Sequence, residues 1–282
     1  MTRLGLLCVT ATLLACSGGG GSSGGGSGST GGGAGGGSGV TTFKVSGTAL
    51  MHPLSVDAGS VSGLTVRVEE PLKVALNDPT GVFATASLDG TGHYEASNLS
   101  SDNVSLGVGI GIFAGDGGLE ADGGQPRVVR TATVIYDVAL QGQKPSADVL
   151  NTKAFAVPRE LHDALTKAVS ASTIGGLATG KSTLIEAGFL LGQVVDAQGN
   201  PVAGATIETV PSGDAARIFY PKDDFSGVGT STASNGTFVY VHDGSDMVRQ
   251  FRFGVVGKSE YLKRNAGAKN NACLVVTVSP GK

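Results

Sequence analysis

From Leu190 the chain reads LLGQVVDAQGNPVAGATIETV, and its apolar and polar positions divide it into strand, turn and strand. Leu191, Val194 and Val195 open a strand, and Asp196 to Pro201 gather the Asp, Asn, Gly and Pro of a turn. Ala205, Ile207 and Thr209 then alternate with Thr206, Glu208 and Val210 as a second strand. Pro201 has no N–H to give a central ladder, which keeps it in the turn. FRFGVV and CLVVTV add strand runs farther on. The outline recurs upstream: FKVSGTAL (43–50) and GLTVRVEE (63–70) are the first two strands, and Ser87 to Tyr94 is a hairpin. VSLGVGIGIF (104–113) and RVVRTATVIYDVAL (127–140) are later strands, the mark of an internal repeat. His52 to Ser62 replaces the compact turn of the second copy. Between the copies the period changes. Leu161, Ala164, Leu165, Ala168 and Val169 share one face at helical spacing, and Pro158 suits a first helical turn. One amphipathic helix is expected to bridge the halves and pack its stripe on a sandwich.

The run GQVVDAQGNPVAGATI resembles the opening of the carboxypeptidase regulatory-like domain, and Thr232 to Phe238, TASNGTF, resembles that family's TDxxGxF hairpin with Ala233 in place of Asp. The resemblance covers residues 189–241 and implies a prealbumin-type β-sandwich. With the upstream repeat, the expected fold is all-β: two tandem prealbumin-like Greek-key sandwiches, residues 40–145 and 189–282, joined by a short helical connector over 146–188.

The first 16 residues, MTRLGLLCVTATLLAC, place Arg3 before an apolar stretch. At about eleven residues it is shorter than the roughly 20 that span a bilayer, so it reads as an export signal. Leu13-Leu14-Ala15-Cys16 resembles the lipobox of bacterial lipoproteins, which implies cleavage after Ala15 and acylation of Cys16. Ser17 to Gly39 is almost pure Gly and Ser, a composition expected to serve as a tether. In the lipoproteins it resembles, Asp after the cysteine favours inner-membrane retention; Ser17 stands there, and the outer membrane is the expected address.

Composition narrows the chemistry. Net charge is −3 with 15% charged residues, so no broad basic face exists for nucleic acid. Cys8 and Cys16 belong to the leader, leaving Cys273, set among Ala272, Leu274, Val275 and Val276, as a buried thiol. Gly175 to Ser182, GGLATGKS, fits the phosphate-loop pattern GxxxxGK[ST] letter for letter. A working loop needs a strand before it and a longer helix after it, and neither is legible, so the run reads as a flexible link and nucleotide is not expected. His52, His93, His162 and His242 show no metal-ligand spacing and read as surface residues. Asp116, Glu120, Asp122, Asp223 and Asp224 read as solvated turn acids, off the regular calcium-loop spacing. No cofactor, metal or catalytic residue is assigned.

The marked asymmetry is a basic run, Arg249, Arg252, Lys258, Lys263, Arg264 and Lys269, with Tyr261 among them. Converging strands would make it a patch for an anionic glycan or headgroup, with Tyr261 stacking on a sugar. The expected function is a noncatalytic cell-envelope lipoprotein, held to the membrane through Cys16, that presents sandwich loops to a protein or glycan. The alternative is an envelope hydrolase acting on peptide or polysaccharide, with residues drawn from the loops around Asp223 and His242.

Overall fold

Alternation in TFKVSGTALM turns Phe43, Val45 and Ala49 inward, and Thr42–Met51 form strand β1. The structure is a computed structural model describing residues 41–281 except 57, 58, 77 and 115–126. The leader, Cys16, the tether, Asp116, Glu120 and Asp122 lie outside the described residues. After β1 come β2 (Leu64–Glu69), helix α1 (Pro71–Ala75), β3 (Val82–Ser87), β4 (His93–Ser100), β5 (Gly107–Ala114), β6 (Val128–Val129), β7 (Thr131–Asp137), α2 (Val138–Gln141) and β8 (Val149–Pro158). Three helices follow: α3 (Arg159–Val169), α4 (Ala171–Leu177) and α5 (Leu184–Ala187). The chain continues as β9 (Phe189–Val194), β10 (Ile207–Val210), β11 (Ile218–Pro221), β12 (Val228–Gly229), β13 (Thr237–Val241), β14 (Arg249–Val255), β15 (Arg264–Ala268) and β16 (Cys273–Val278). The described chain is mostly β, and no described helix is long and apolar enough to cross a membrane.

Each half builds the same pairings. β1 lies between antiparallel β4 and parallel β8; β9 lies between antiparallel β13 and parallel β16. β2 pairs antiparallel with β5 and β5 with β7; β10 pairs with β14 and β14 with β15 in the same way. The registers agree beyond the bulge near Phe43, with Gly47 facing Tyr94 in one half and Gly192 facing Phe238 in the other. A Cβ on Gly192 would overlap the Phe238 ring, and one on Gly47 would overlap the Thr152 carbonyl and hydroxyl and the Tyr94 hydroxyl.

The halves are not separate sheets. Cys273 to Val275 of β16 pair in parallel with Thr131 to Thr133 of β7, which makes a nine-stranded sheet ordered β12-β11-β13-β9-β16-β7-β5-β2-β3. Residues 39–282 form one compact unit by contacts. One core lies inside the first half around Val66, Ile110, Ile112 and Ala154, and another inside the second around Ile207, Phe238, Phe253 and Val278. A third core lies under the connector, where Leu161, Leu165 and Val169 of α3 meet Phe189, Leu191, Val239 and Val275. β9, β13 and β16 are therefore covered on both faces, which is why FLLGQV, TFVYV and CLVVTV read as near-continuous apolar runs.

Three expectations change. Residues 149–158, read as connector, are β8, fixed by the parallel register with β1. The helical stripe forms as α3, with Leu161, Leu165, Ala168 and Val169 buried. The segment read as a flexible link is instead α4, a turn and α5, anchored by buried Ile174, Ala178 and Leu184. His52, His162 and His242 are buried rather than on the surface, at 5%, 1% and 1% exposure, while His93 is exposed.

Candidate functional site

Burial in one direction creates a groove in the other. β5, GVGIGIFA, sends Val108, Ile110 and Ile112 into the first core, so its other face is Gly107, Gly109 and Gly111. Of these, Gly107 lines the groove beside Ala132 and Val134 of β7, while Pro71 lies over Gly109 and the Glu69 carboxyl over Gly111. Pro71, Leu72 and Val74 of α1 wall one side, and Ala266 to Asn271 of the second half wall the other. They enclose a cleft of about 390 Å³.

Most charged groups lining the cleft are already engaged. The Glu70 carboxylate accepts hydrogen bonds from the backbone N–H of Ser105 (2.6 Å), Leu106 (2.9 Å) and Gly107 (3.3 Å), holding the entry to β5. Asp137 caps α2 by accepting from Ala139 N–H at 2.8 Å and accepts from Asn265 N–H at 3.2 Å across the halves. Burial raises its pKa against those hydrogen bonds and the Arg264 charge. Lys269 donates to the Ala75 carbonyl at 2.7 Å, and Asn270 donates to Asp246 at 2.7 Å.

Glu69 differs. It is 3% exposed, and its carboxyl lies against Gly111, where a Cβ would sit 2.9 Å from the carboxyl atoms. Among the described residues its carboxyl accepts no hydrogen bond. Burial pushes its pKa up to about 7, opposed by the positive charges of Arg130 and Arg67. Arg67 stacks over Phe113 at 4.5 Å, and Arg130 is exposed on the cleft margin. Sequence reasoning passed over Glu69 because the outward position of an alternating strand reads as solvent-facing; what covers it comes from α1 and the second half.

The basic run is dispersed. Arg249 grips buried Asp214, Nη2 to Oδ1 at 2.8 Å and Nε to Oδ2 at 3.3 Å. Lys263 pairs with Glu208 at 3.0 Å, and Lys258 lies 4.0 Å from Glu260. Arg264 turns inward, donating to the Ser279 carbonyl (3.2 Å) and hydroxyl (3.0 Å), with its pKa lowered by burial. Lys269 belongs to the cleft. Tyr261 is buried and donates to the Val195 carbonyl at 3.0 Å, so its ring packs in the second core and offers no face to a sugar. Arg252 and Lys258 are exposed, as is Arg249, whose guanidinium is held by Asp214.

Other candidates resolve as local structure. In the 175–182 run a helix precedes the loop, and the Ser182 and Thr183 N–H groups, 3.0 Å each, donate to Glu186 of the four-residue α5. Asp223 accepts from the Ser234 hydroxyl (2.8 Å) and from Asn235 N–H (3.1 Å), holding the turn in which Ala233 lacks a carboxylate of its own. His242 follows the far end of β13. Asp223 and His242 are thus separated by the length of that strand, on the order of 20 Å at about 3.3 Å per residue, and do not converge as the hydrolase alternative needs. Burial lowers the pKa of His242, whose Nδ1 lies 3.1 Å from the Ala187 carbonyl and 3.3 Å from Gly244 N–H. Burial also lowers His162, whose Nε2 accepts from Ile185 N–H at 3.1 Å, and raises the buried Cys273 thiol.

No protein-family model and no curated protein matches the chain. Among solved structures it matches the shaft pilin SpaA from Lactobacillus rhamnosus GG at 11% identity, covering 86% of this chain and 99% of that one, with a TM-score of 0.24. The Streptococcal ancillary pilin matches at 12% identity over 85% and 68%, TM-score 0.23. The Bacillus anthracis TIE protein matches at 10% identity over 85% of this chain, TM-score 0.23, and the chain spans 34% of its length. At these scores no role is carried over, and the β architecture rests on the sheets themselves.

Proposed function

We propose that the chain is a noncatalytic cell-envelope lipoprotein whose paired prealbumin-like Greek-key sandwiches, of carboxypeptidase regulatory-like type, hold binding loops clear of a membrane. The observation that carries this reading is the order of segments: Leu13-Leu14-Ala15-Cys16, a Gly/Ser run to Gly39, and β1 from Thr42. Acyl chains on Cys16 would each contribute about 0.8 kcal/mol per buried methylene, enough together for lasting attachment. A tether of this composition has a root-mean-square span of roughly 25 Å, which clears the headgroups. Ser17 favours the outer membrane. The doubled pairing pattern supports the tandem reading, with α3 as the connector that joins the halves.

The partner is a protein or glycan at the envelope, met by loops and by the exposed cations Arg252 and Lys258. The pilins and the TIE protein named above carry no part of this argument. Crosslinking on intact cells followed by pulldown of the acylated chain tests the reading, with Cys16→Ser as the comparison. Envelope partners captured by the parent and lost by the variant are the expected result. Equal capture by both forms would count against an anchored module.

A further inference from the structure

Two groups of the cleft stand unengaged where their neighbours are all bound. Glu69 is buried and lies over Gly111 with no hydrogen bond among the described residues, and Arg130 lines the same cleft near enough to act on it electrostatically. The two form no ion pair with each other among the described residues. Leu72, Val74, Ala75 and Val248 make part of the cleft lining apolar. A buried carboxyl without a partner is costly unless something supplies a donor.

We infer that the cleft binds a small zwitterion, an α-amino acid or short free peptide with an apolar side chain, its ammonium group against Glu69 and its carboxylate against Arg130. The volume of about 390 Å³ lies within the range of small-ligand sites. A simple cation would meet Arg130 and Arg67 as well as Glu69, and a simple anion would meet Glu69 beside Glu70, Asp137 and Asp246. A ligand carrying both charges satisfies the two open groups at once. Gly107 and Ala132 leave room for its backbone, and Leu72, Val74 and Val134 receive its side chain. This inference does not depend on where the chain resides.

Calorimetric titration of the full chain in detergent tests it, with L-leucine, L-leucyl-L-leucine, N-acetyl-leucyl-leucine and leucyl-leucine amide as probes. Saturable binding by a free probe is expected, weakened about tenfold or more by either blocking group. Glu69→Gln should abolish the penalty of N-acetylation alone, and Arg130→Gln that of amidation alone. Arg130 is exposed, so its variant keeps the test decisive if Glu69→Gln fails to fold. Equal binding of free and blocked dipeptides, or no saturation by either free probe in the millimolar range, overturns the inference.

Discussion

Gly92 and Gly236 hold the same place in two tight turns 144 residues apart, 236 less 92. Both have φ of +70°, and their carbonyls accept from the first strand of their own half, Ala49 N–H at 2.8 Å and Val194 N–H at 2.9 Å. At each position a Cβ would collide with the carbonyl oxygen of that same first-strand residue. The turn and first strand of each half are therefore locked by a contact only glycine permits.

Alanine at either site should cost about 3 kcal/mol, the left-handed backbone adding roughly 1 and the backbone collision the rest. Gly63 has φ of +76° but open space around it, so Gly63→Ala should cost only about 1 kcal/mol. Urea unfolding of the three variants checks this, and equal losses would remove the collision from the account.

Arg249→Ala should act on stability before it acts on any ligand. It strands the Asp214 carboxylate, whose side chain is 1% exposed, while Arg249 itself is 45% exposed. Breaking a fully buried pair costs about 3–5 kcal/mol, and the exposed partner lowers the expectation to roughly 2. Thermal unfolding at neutral pH measures it. An unchanged midpoint would free Arg249 for the surface role first read from the sequence.

Glu69→Gln should stabilise the protein above neutral pH. The native carboxyl titrates near 7, well above its ordinary value, so the folded state holds the proton more tightly than the unfolded state. The stability this provides is full below about 4.5 and lost as pH rises through about 7, by roughly 3 kcal/mol at 1.36 kcal/mol per unit. The advantage of the glutamine variant over the parent should therefore grow across that window and level off above it. Parallel melting curves from pH 4.5 to 8 would show a constant offset if the carboxyl were not buried and unbonded as described.

His52 runs the other way. Burial pushes its pKa down to about 4, and its ring packs edge-on against Phe155 at 5.5 Å. The unfolded state takes the proton first, so the contribution is whole above about 6.5 and lost as pH falls through about 4, by roughly 3 kcal/mol. His52→Gln should flatten the decline in stability over that interval. An identical slope in parent and variant would mean that folding leaves the His52 pKa at its ordinary value.

The sequence carries local structure well where pairing is local. The turns after Val195 and around Gly92 and Gly236 and the α3 stripe were legible, because turn residues and period are short-range signals; the hairpins expected at those two glycines do not form, since β3 pairs with β2, β4 with β1, and β13 with β9 and β11. β8 was not. Leu150, Asn151 and Lys153 are exposed, and the distant partners β1, parallel, and β6, antiparallel, make a strand of that segment. The buried histidines and Tyr261 were misread for a related reason. Their surroundings come from elsewhere in the chain, as the 66-residue separation between Tyr261 and Val195 shows. Glu69 and Arg130 come near each other through the long-range pairing of β2, β5 and β7, and α1 and the second half cover a strand face that alternation alone assigns to solvent.

The intact mass of the mature protein, extracted from cell envelopes, tests the envelope assignment most directly. The account predicts a chain beginning at Cys16 with fatty acyl groups on that residue, and no acyl mass in Cys16→Ser. A mature chain that retains Met1 to Ala15, or one whose Cys16 carries no lipid, would contradict it.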